Sequence, residues 1–269
     1  MDFVYQIPAA VLLFVVLVLT ILVVGAGQML VHRSFKGSDF VTHNEVGGVI
    51  IAVSGSIYAV ILGFLTVVAW EHFQEARELV VMEADADIDA WHTAVGLPEA
   101  ERTHLRRDMM SYAEIMKARE WPLMRHGGFD PDAAMIGMDA SDVAGSAVPR
   151  NPGEANAQSA TIQQLTVMHD ARQRRIAMND SGVSWFEWLV LLIGAACIVC
   201  FCWLFGLKNR RTHLLMTSTV VTMIASILVL LFELQYPFRS NVGIGPEAWN
   251  NAVSHLHQMQ SGSMAGMRM

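Results

Sequence analysis

The chain has 269 residues, 53% of them hydrophobic, and 25 acidic residues against 18 lysines and arginines give a formal net charge of -7. That balance excludes the basic field nucleic acid requires. Cys197, Cys200 and Cys202 all fall inside one apolar run, away from oxidising solvent, so a disulfide framework is excluded too, and their CxxC spacing reads as apolar packing.

The first apolar run extends from Ile7 to Val31. About 20 apolar residues rising about 1.5 Å each match a hydrocarbon core of about 30 Å, so the run is predicted to cross a bilayer. Met1 to Pro8 holds no Lys or Arg, and the run outlasts the roughly 7–15 apolar residues of a cleaved signal, which makes it a retained anchor. Gly47 to Trp70 is a second span, with Gly55, Ala59 and Gly63 at four-residue steps setting small residues on one face for close helix packing. Past Trp70 the pattern continues unbroken through Phe73, Ala76, Leu79, Val80, Ala84, Ile88 and Trp91, so the span is predicted to leave the membrane as one long helix.

Leu97-Pro98-Glu99 places proline at a first helical turn, and the next helix carries Leu105, Met109, Tyr112, Ile115 and Met116 toward Trp121-Pro122. Arg125 to Asn156 holds glycines, prolines, aspartates and small residues without periodicity and reads as a long loop. Ile162, Leu165, Met168 and Ile176 predict a helix that leads into a third span, Trp185 to Leu207, followed by a fourth, Leu214 to Glu233. The expected product is an all-α integral membrane protein. Residues 1–70 and 185–235 form two transmembrane hairpins, 71–184 a helical headpiece continuous with spans two and three, and 236–269 a tail whose Gly- and Ser-rich end reads as disordered.

Short loops set orientation. Arg33 and Lys36 between spans one and two, and Lys208, Arg210 and Arg211 between spans three and four, predict cytoplasmic hairpin loops in the cell (inner) membrane. The headpiece and both termini then face outward, although Arg172, Arg174 and Arg175 stand on that side some ten residues before span three.

On this topology Glu71, Glu187 and Glu233 end or open three spans at one membrane face, with Asp2 on the same side. Converging in an oligomer, they would concentrate cations at a mouth; singly, each only reaches for water. Thr212, Thr219, Ser226 and Glu233 recur every seven residues on span four, with Thr222 beside them, and drift only about 20° per heptad. These hydroxyls either line a wetted path or bond carbonyls four residues back in their own helix. No Asp, Glu, Lys or Arg occupies mid-span, which argues against a buried proton relay.

In the tail, His255, His257 and Met259, with Met264, Met267 and Met269 beyond, offer donors suited to Cu(I). No phosphate loop, GxSxG elbow, HExxH or paired-carboxylate constellation occurs, so no enzyme and no cofactor is expected.

Separated motifs carry a resemblance. The stretch SGSIYAVILGFLTVVAWEHFQEARELVVMEADAD from Ser54, the pair Leu97-Pro98, EWPLM from Glu120 to Met124, and ELQYPFRSNVGIGPEAW from Glu233 to Trp249 resemble the bestrophin-like domain family of bacterial and plant membrane proteins. The resemblance spans nearly the whole chain apart from the tail and the Gly127 to Pro152 segment. It implies that Tyr58, Gly63, Trp70, Glu83, Trp121, Pro122, Pro237 and Phe238 are family positions. The family more often has an Asp and a following Gly around Pro-Phe, where this chain has Glu233 and Arg239. Pro237 would end the fourth helix, and Phe238 would lie at headgroup level or tuck under the outer helices. The family name implies kinship with bestrophins, which are oligomeric anion channels. Acids at a mouth oppose anions, so the resemblance and the charges agree on conduction and differ on sign.

Three functions follow as expectations. One is a homo-oligomeric ion channel or channel-like permeation protein with an acidic outer mouth. The second is a non-conducting scaffold or accessory subunit that docks a membrane or periplasmic partner through Trp91, Trp121 and Trp249. The third is copper handling by the tail.

Overall fold

The computed structural model describes residues 2–5, 7–34, 44–205 and 209–266, and every regular element among them is helical. In chain order these are α1 (Asp2–Tyr5), α2 (Ala9–Ser34), α3 (Asn44–Thr93), α4 (Glu99–Ile115), α5 (Trp121–Met124), α6 (Pro131–Ser146), α7 (Pro152–Asp180), α8 (Trp185–Leu204), α9 (Arg210–Leu234) and α10 (Glu247–Gly266). Four of them, α2, α3, α8 and α9, are long and apolar enough to cross a membrane. Two basic residues used for orientation, Lys36 and Lys208, lie outside the described residues.

The 50 residues of α3, at about 1.5 Å each, extend about 75 Å, more than twice a hydrocarbon core. Only the apolar part that closes near Trp70 can lie in lipid. The chain divides into two compact units: residues 1–72, 182–235 and 240–242, and residues 73–181, 236–239 and 243–269.

In the first unit the spans meet where small residues let aromatic rings in. Gly27 of α2 leaves the space that the Trp203 ring fills, and Trp203 Nε1 donates to the Val24 carbonyl at 3.1 Å. Gly194 of α8 does the same for the ring of Tyr58 on α3. The inward line of α9 is His213, Thr217, Val221, Ala225 and Val229, at four-residue steps. Gly55 and Gly63, expected at a packing seam, have no atom of the described residues within 4 Å of the position a Cβ would take, so the small face of α3 is open among them.

The second unit is built around Leu105, Met109, Tyr112, Met116, Trp121, Leu165, Met168, Phe238, Trp249 and Leu256, all buried. Between α4 and α5 the backbone widens into a π turn, Met116–Glu120. Pro122 has no N–H for the carbonyl four residues back, and the wide turn absorbs that loss.

Two expectations need correction here. The segment read as a long loop contains α6, started by Asp130, whose side chain accepts from the Asp132 N–H at 2.9 Å, and by Pro131 at the first turn. Its buried residues are Ala133, Ala140 and Ala144, too small to draw an apolar stripe in the sequence. The tail read as disordered is helical from Glu247 to Gly266, and Trp249, Ala252 and Leu256 hold it on the core. Met267 and Met269 lie outside the described residues.

Candidate functional site

The three acids at the span ends occupy three different environments. Glu71 is exposed. Glu187 is half-buried and closes a capping box: the Ser184 N–H donates to its carboxylate at 2.8 Å, and the Ser184 hydroxyl accepts from the Glu187 N–H at 3.3 Å. The S-x-x-E spelling just before an apolar run was a signal for this role in the sequence. Glu233 is buried; the Ser240 hydroxyl donates to it, and its Oε2 is covered without accepting a hydrogen bond. No hydrogen bond or ion pair joins any two of these acids among the described residues.

Beside Glu233 a polar knot closes the end of α9. Trp188 Nε1 donates to Gln235 Oε1 at 3.0 Å, Gln235 Nε2 donates to the Tyr5 hydroxyl at 2.9 Å, and Asn241 Nδ2 donates to the carbonyls of Tyr5 and Ile7, each at 2.8 Å. Tyr5 stacks on Phe232 with ring centroids 4.7 Å apart. None of these polar groups was singled out from the sequence, because each lies in an ordinary interfacial context until the chain folds.

The predicted hydroxyls Thr219, Thr222 and Ser226 lie off the inward line of α9, on which Thr217 stands. Thr219 is exposed and donates to the Leu215 carbonyl at 2.9 Å, the bond to its own helix that competes with a wetted role. Thr222 and Ser226 are half-buried. Of the family positions in the spans, Tyr58 is buried against Gly194 and Trp70 is about half exposed.

In the second unit Glu83 lies at the centre of a buried ion network. The Arg175 guanidinium donates to Glu83 Oε2 at 2.5 Å and Oε1 at 3.1 Å and to Glu120 Oε1 at 2.6 Å, while Arg172 donates to Glu120 Oε2 at 2.6 Å and to the Asp130 carbonyl at 2.9 Å. Arg119 pairs with Asp130 at 2.9 Å. The Tyr112 hydroxyl donates to Glu83 Oε1 at 2.6 Å, and burial followed by that carboxylate pushes its pKa well up. Burial alone would lower the pKa of Arg175, but the Glu83 and Glu120 carboxylates outweigh it and hold the guanidinium charged. Three buried carboxylates, Glu83, Glu120 and Asp130, face three guanidinium groups, Arg119, Arg172 and Arg175, and the part-exposed Asp132 adds a fourth carboxylate on Arg119 at 2.7 Å.

The sequence reading reached Glu83 and missed its partners. A signal existed: Leu165, Met168, Arg172, Arg175 and Asn179 share one face of α7, so charges fall on its apolar stripe.

Asp87, one turn after Glu83 and far beyond the apolar part of α3, is fully buried, and neither carboxylate oxygen accepts a hydrogen bond. Burial, then the Glu83 charge, pushes its pKa well above the usual carboxylate range, so the folded protein keeps this proton. The unfolded chain releases it above about pH 4, so this group's contribution to stability is greatest below that pH and declines as pH rises until the folded group ionises, by as much as about 1.4 kcal/mol per pH unit. Asp87→Asn is expected to remove that decline, checked by comparing melting of variant and parent at pH 5 and pH 8.

The remaining predicted residues are not brought together at a site. Trp121 is buried, with Nε1 donating to the Ile244 carbonyl at 3.2 Å and its ring edge-on to Phe238 at 5.8 Å. Phe238 is therefore tucked among the helices of this unit, and Pro237 precedes it, accepting from the Ile244 N–H at 2.8 Å. Trp91 and Trp249 are buried as well, so the three tryptophans proposed as docking anchors are core residues; the reason is that each is large enough to fill a gap between helices. His255 faces His92 at 6.2 Å, His257 stands 3.6 Å from Glu114, and Met259 packs on the core. Two residues apart on a helix are about 200° apart, so His257 points away from the other two.

Comparison with known proteins adds the following. The model of the Bestrophin-like domain matches residues 15–249. A bacterial Bestrophin homologue from Klebsiella pneumoniae superposes with a TM-score of 0.68 at 15% identity, over 91% of this chain and 98% of the other. A variant of that homologue gives a TM-score of 0.69 at 14% identity over 91% and 98%. A crystal structure described only as a membrane protein gives 0.69 at 14% identity over 90% and 98%. At such identity these likenesses show the fold. Among curated proteins none matches.

Proposed function

This chain belongs to the Bestrophin-like domain family, and from that premise we propose that it is an oligomeric, channel-like permeation protein whose path forms between copies and not within one chain. The observation that carries the reading is the dryness of the single four-span unit. The cleft of about 440 Å³ that α2, α8 and α9 enclose is lined by Leu12, Val16, Leu192, Val221, Leu228 and Phe232 among others. Such a surface suits an acyl chain, because an ion there would lose its hydration without replacement. The open small face of α3 at Gly55, Ala59 and Gly63 supports close approach of a second copy.

Exposed Glu71 and half-buried Glu187 remain suited to an outer mouth, with Glu233 behind them as a buried, hydrogen-bonded acid. Thr219, Thr222 and Ser226 would face the path only once copies assemble. Arg33, Arg210 and Arg211 at the hairpin ends support cytoplasmic loops, and with them an outward headpiece and outward termini. The network that holds Arg172 and Arg175 accounts for two of the three basic residues that weighed against this orientation, and Arg174 is exposed.

The test is flux through liposomes reconstituted with purified, folded protein. Expected are a stable oligomer in detergent and a salt current, with a reversal potential that moves toward chloride in the Glu71→Gln/Glu187→Gln variant. Absence of flux from folded oligomer would remove the reading. The scaffold alternative has lost its tryptophan anchors and has no observation of its own.

A further inference from the structure

We propose that His104, Asp108 and Asp139 form a binding site for a divalent transition-metal cation, zinc by the chemistry of its donors, that ties α4 to α6. His104 and Asp108 are one turn apart on α4 and project from one face of it, and Asp139 reaches them from α6. His104 Nε2 is 3.2 Å from Asp139 Oδ2 and 3.5 Å from Asp108 Oδ2, and the three donor atoms lie within 4.8 Å of one another. Two ligands held at about 2.0–2.1 Å from a tetrahedral zinc stand about 3.3–3.4 Å apart, close to the 3.2 and 3.5 Å that separate His104 Nε2 from the two carboxylates.

Asp108 supplies the independent observation. The residue is only 7% exposed, and its Oδ2 is fully covered and accepts no hydrogen bond while pointing at His104. A covered carboxylate oxygen without a donor is costly, and a cation between the three side chains would satisfy it. Arg107 stands 3.9 Å from the other oxygen, Oδ1, and leaves Oδ2 to the site.

One imidazole nitrogen and two carboxylate oxygens suit zinc better than calcium, which takes about six to eight oxygens, or magnesium, which keeps an oxygen octahedron. The side chains of His104 and Asp139 are 37% and 57% exposed, so water has access to complete the coordination. The ion would fasten α6 to α4 beside the packing that Ala133, Ala140 and Ala144, with Ile136 and Val143, already provide.

Zinc titration of the full chain in detergent, followed by calorimetry, is the experiment. One zinc per chain is expected, with X-ray absorption showing nitrogen and oxygen ligands including one imidazole. Asp139→Asn and His104→Gln should each weaken binding by about tenfold or more. Zinc should raise the melting temperature of the parent and leave that of Asp139→Asn unmoved, and Asp139 is exposed enough that its variant folds. The His255→Ala/His257→Ala variant should bind as the parent does. Three results would overturn the proposal: no stoichiometric zinc, affinity unchanged in both site variants, or affinity lost only with the tail histidines. A melting temperature unmoved by zinc in the parent would overturn it as well.

Discussion

Arg175→Ala is expected to unfold the second unit at temperatures where the parent is fully folded. Arg175 is wholly buried and holds Glu83 and Glu120 at once, so its removal leaves Glu83 in the interior without a cation and Glu120 with Arg172 alone. Breaking a buried pair by deleting one partner costs about 3–5 kcal/mol, a large part of the roughly 5–15 kcal/mol that keeps a domain folded. Arg175→Lys should fall between, because an ammonium keeps the charge but cannot present a planar fork to both acids. Replacing the pair together, as in Glu83→Gln/Arg175→Met, should recover part of the loss, since Glu83 then leaves no uncompensated charge and Glu120 keeps Arg172. Tryptophan fluorescence melting reads the result, Trp121 being within 5.6 Å of the Arg175 guanidinium. A variant Arg175→Ala that melts with the parent would show that the network contributes nothing to stability.

Trp249→Ala should cost a similar amount for a different reason. The ring is fully buried and packs edge-on to Tyr112 at 5.6 Å, so truncation opens a cavity next to the ion network; large aromatic to alanine changes in a core cost about 3–5 kcal/mol. A chain that ends at Gly262 should melt as the full chain does, because it keeps Trp249, Ala252 and Leu256, which hold α10 on the core. Limited proteolysis of the two proteins separates a tail that is part of the core from one that merely follows it. Equal protease resistance of Trp249→Ala and parent would refute the packing role.

Both variants test features that the sequence states weakly. Arg172 and Arg175 look like solvated charges preceding a span, and only their phase with Leu165 and Met168 hints that they point inward. The tail is rich in Gly and Ser toward its end, which hides the regular spacing of Trp249, Ala252 and Leu256. Helix α6 escapes for the same kind of reason: alanines pack closely but leave no hydrophobic contrast against neighbouring small residues.

Length and polarity alone dictate the four spans and the continuation of α3, because a bilayer demands long apolar helices and a helix without a breaker propagates. The residues that recur in the family motifs were legible as letters, and Glu83, Trp121 and Phe238 gained roles only from neighbours distant in the chain. Whether an acid is a free charge, a helix cap or a buried partner depends on which donors surround it. Glu71 and Glu233 both close apolar spans in the sequence and differ in the fold, since solvation is set by what packs against a carboxylate and that is a property of three dimensions.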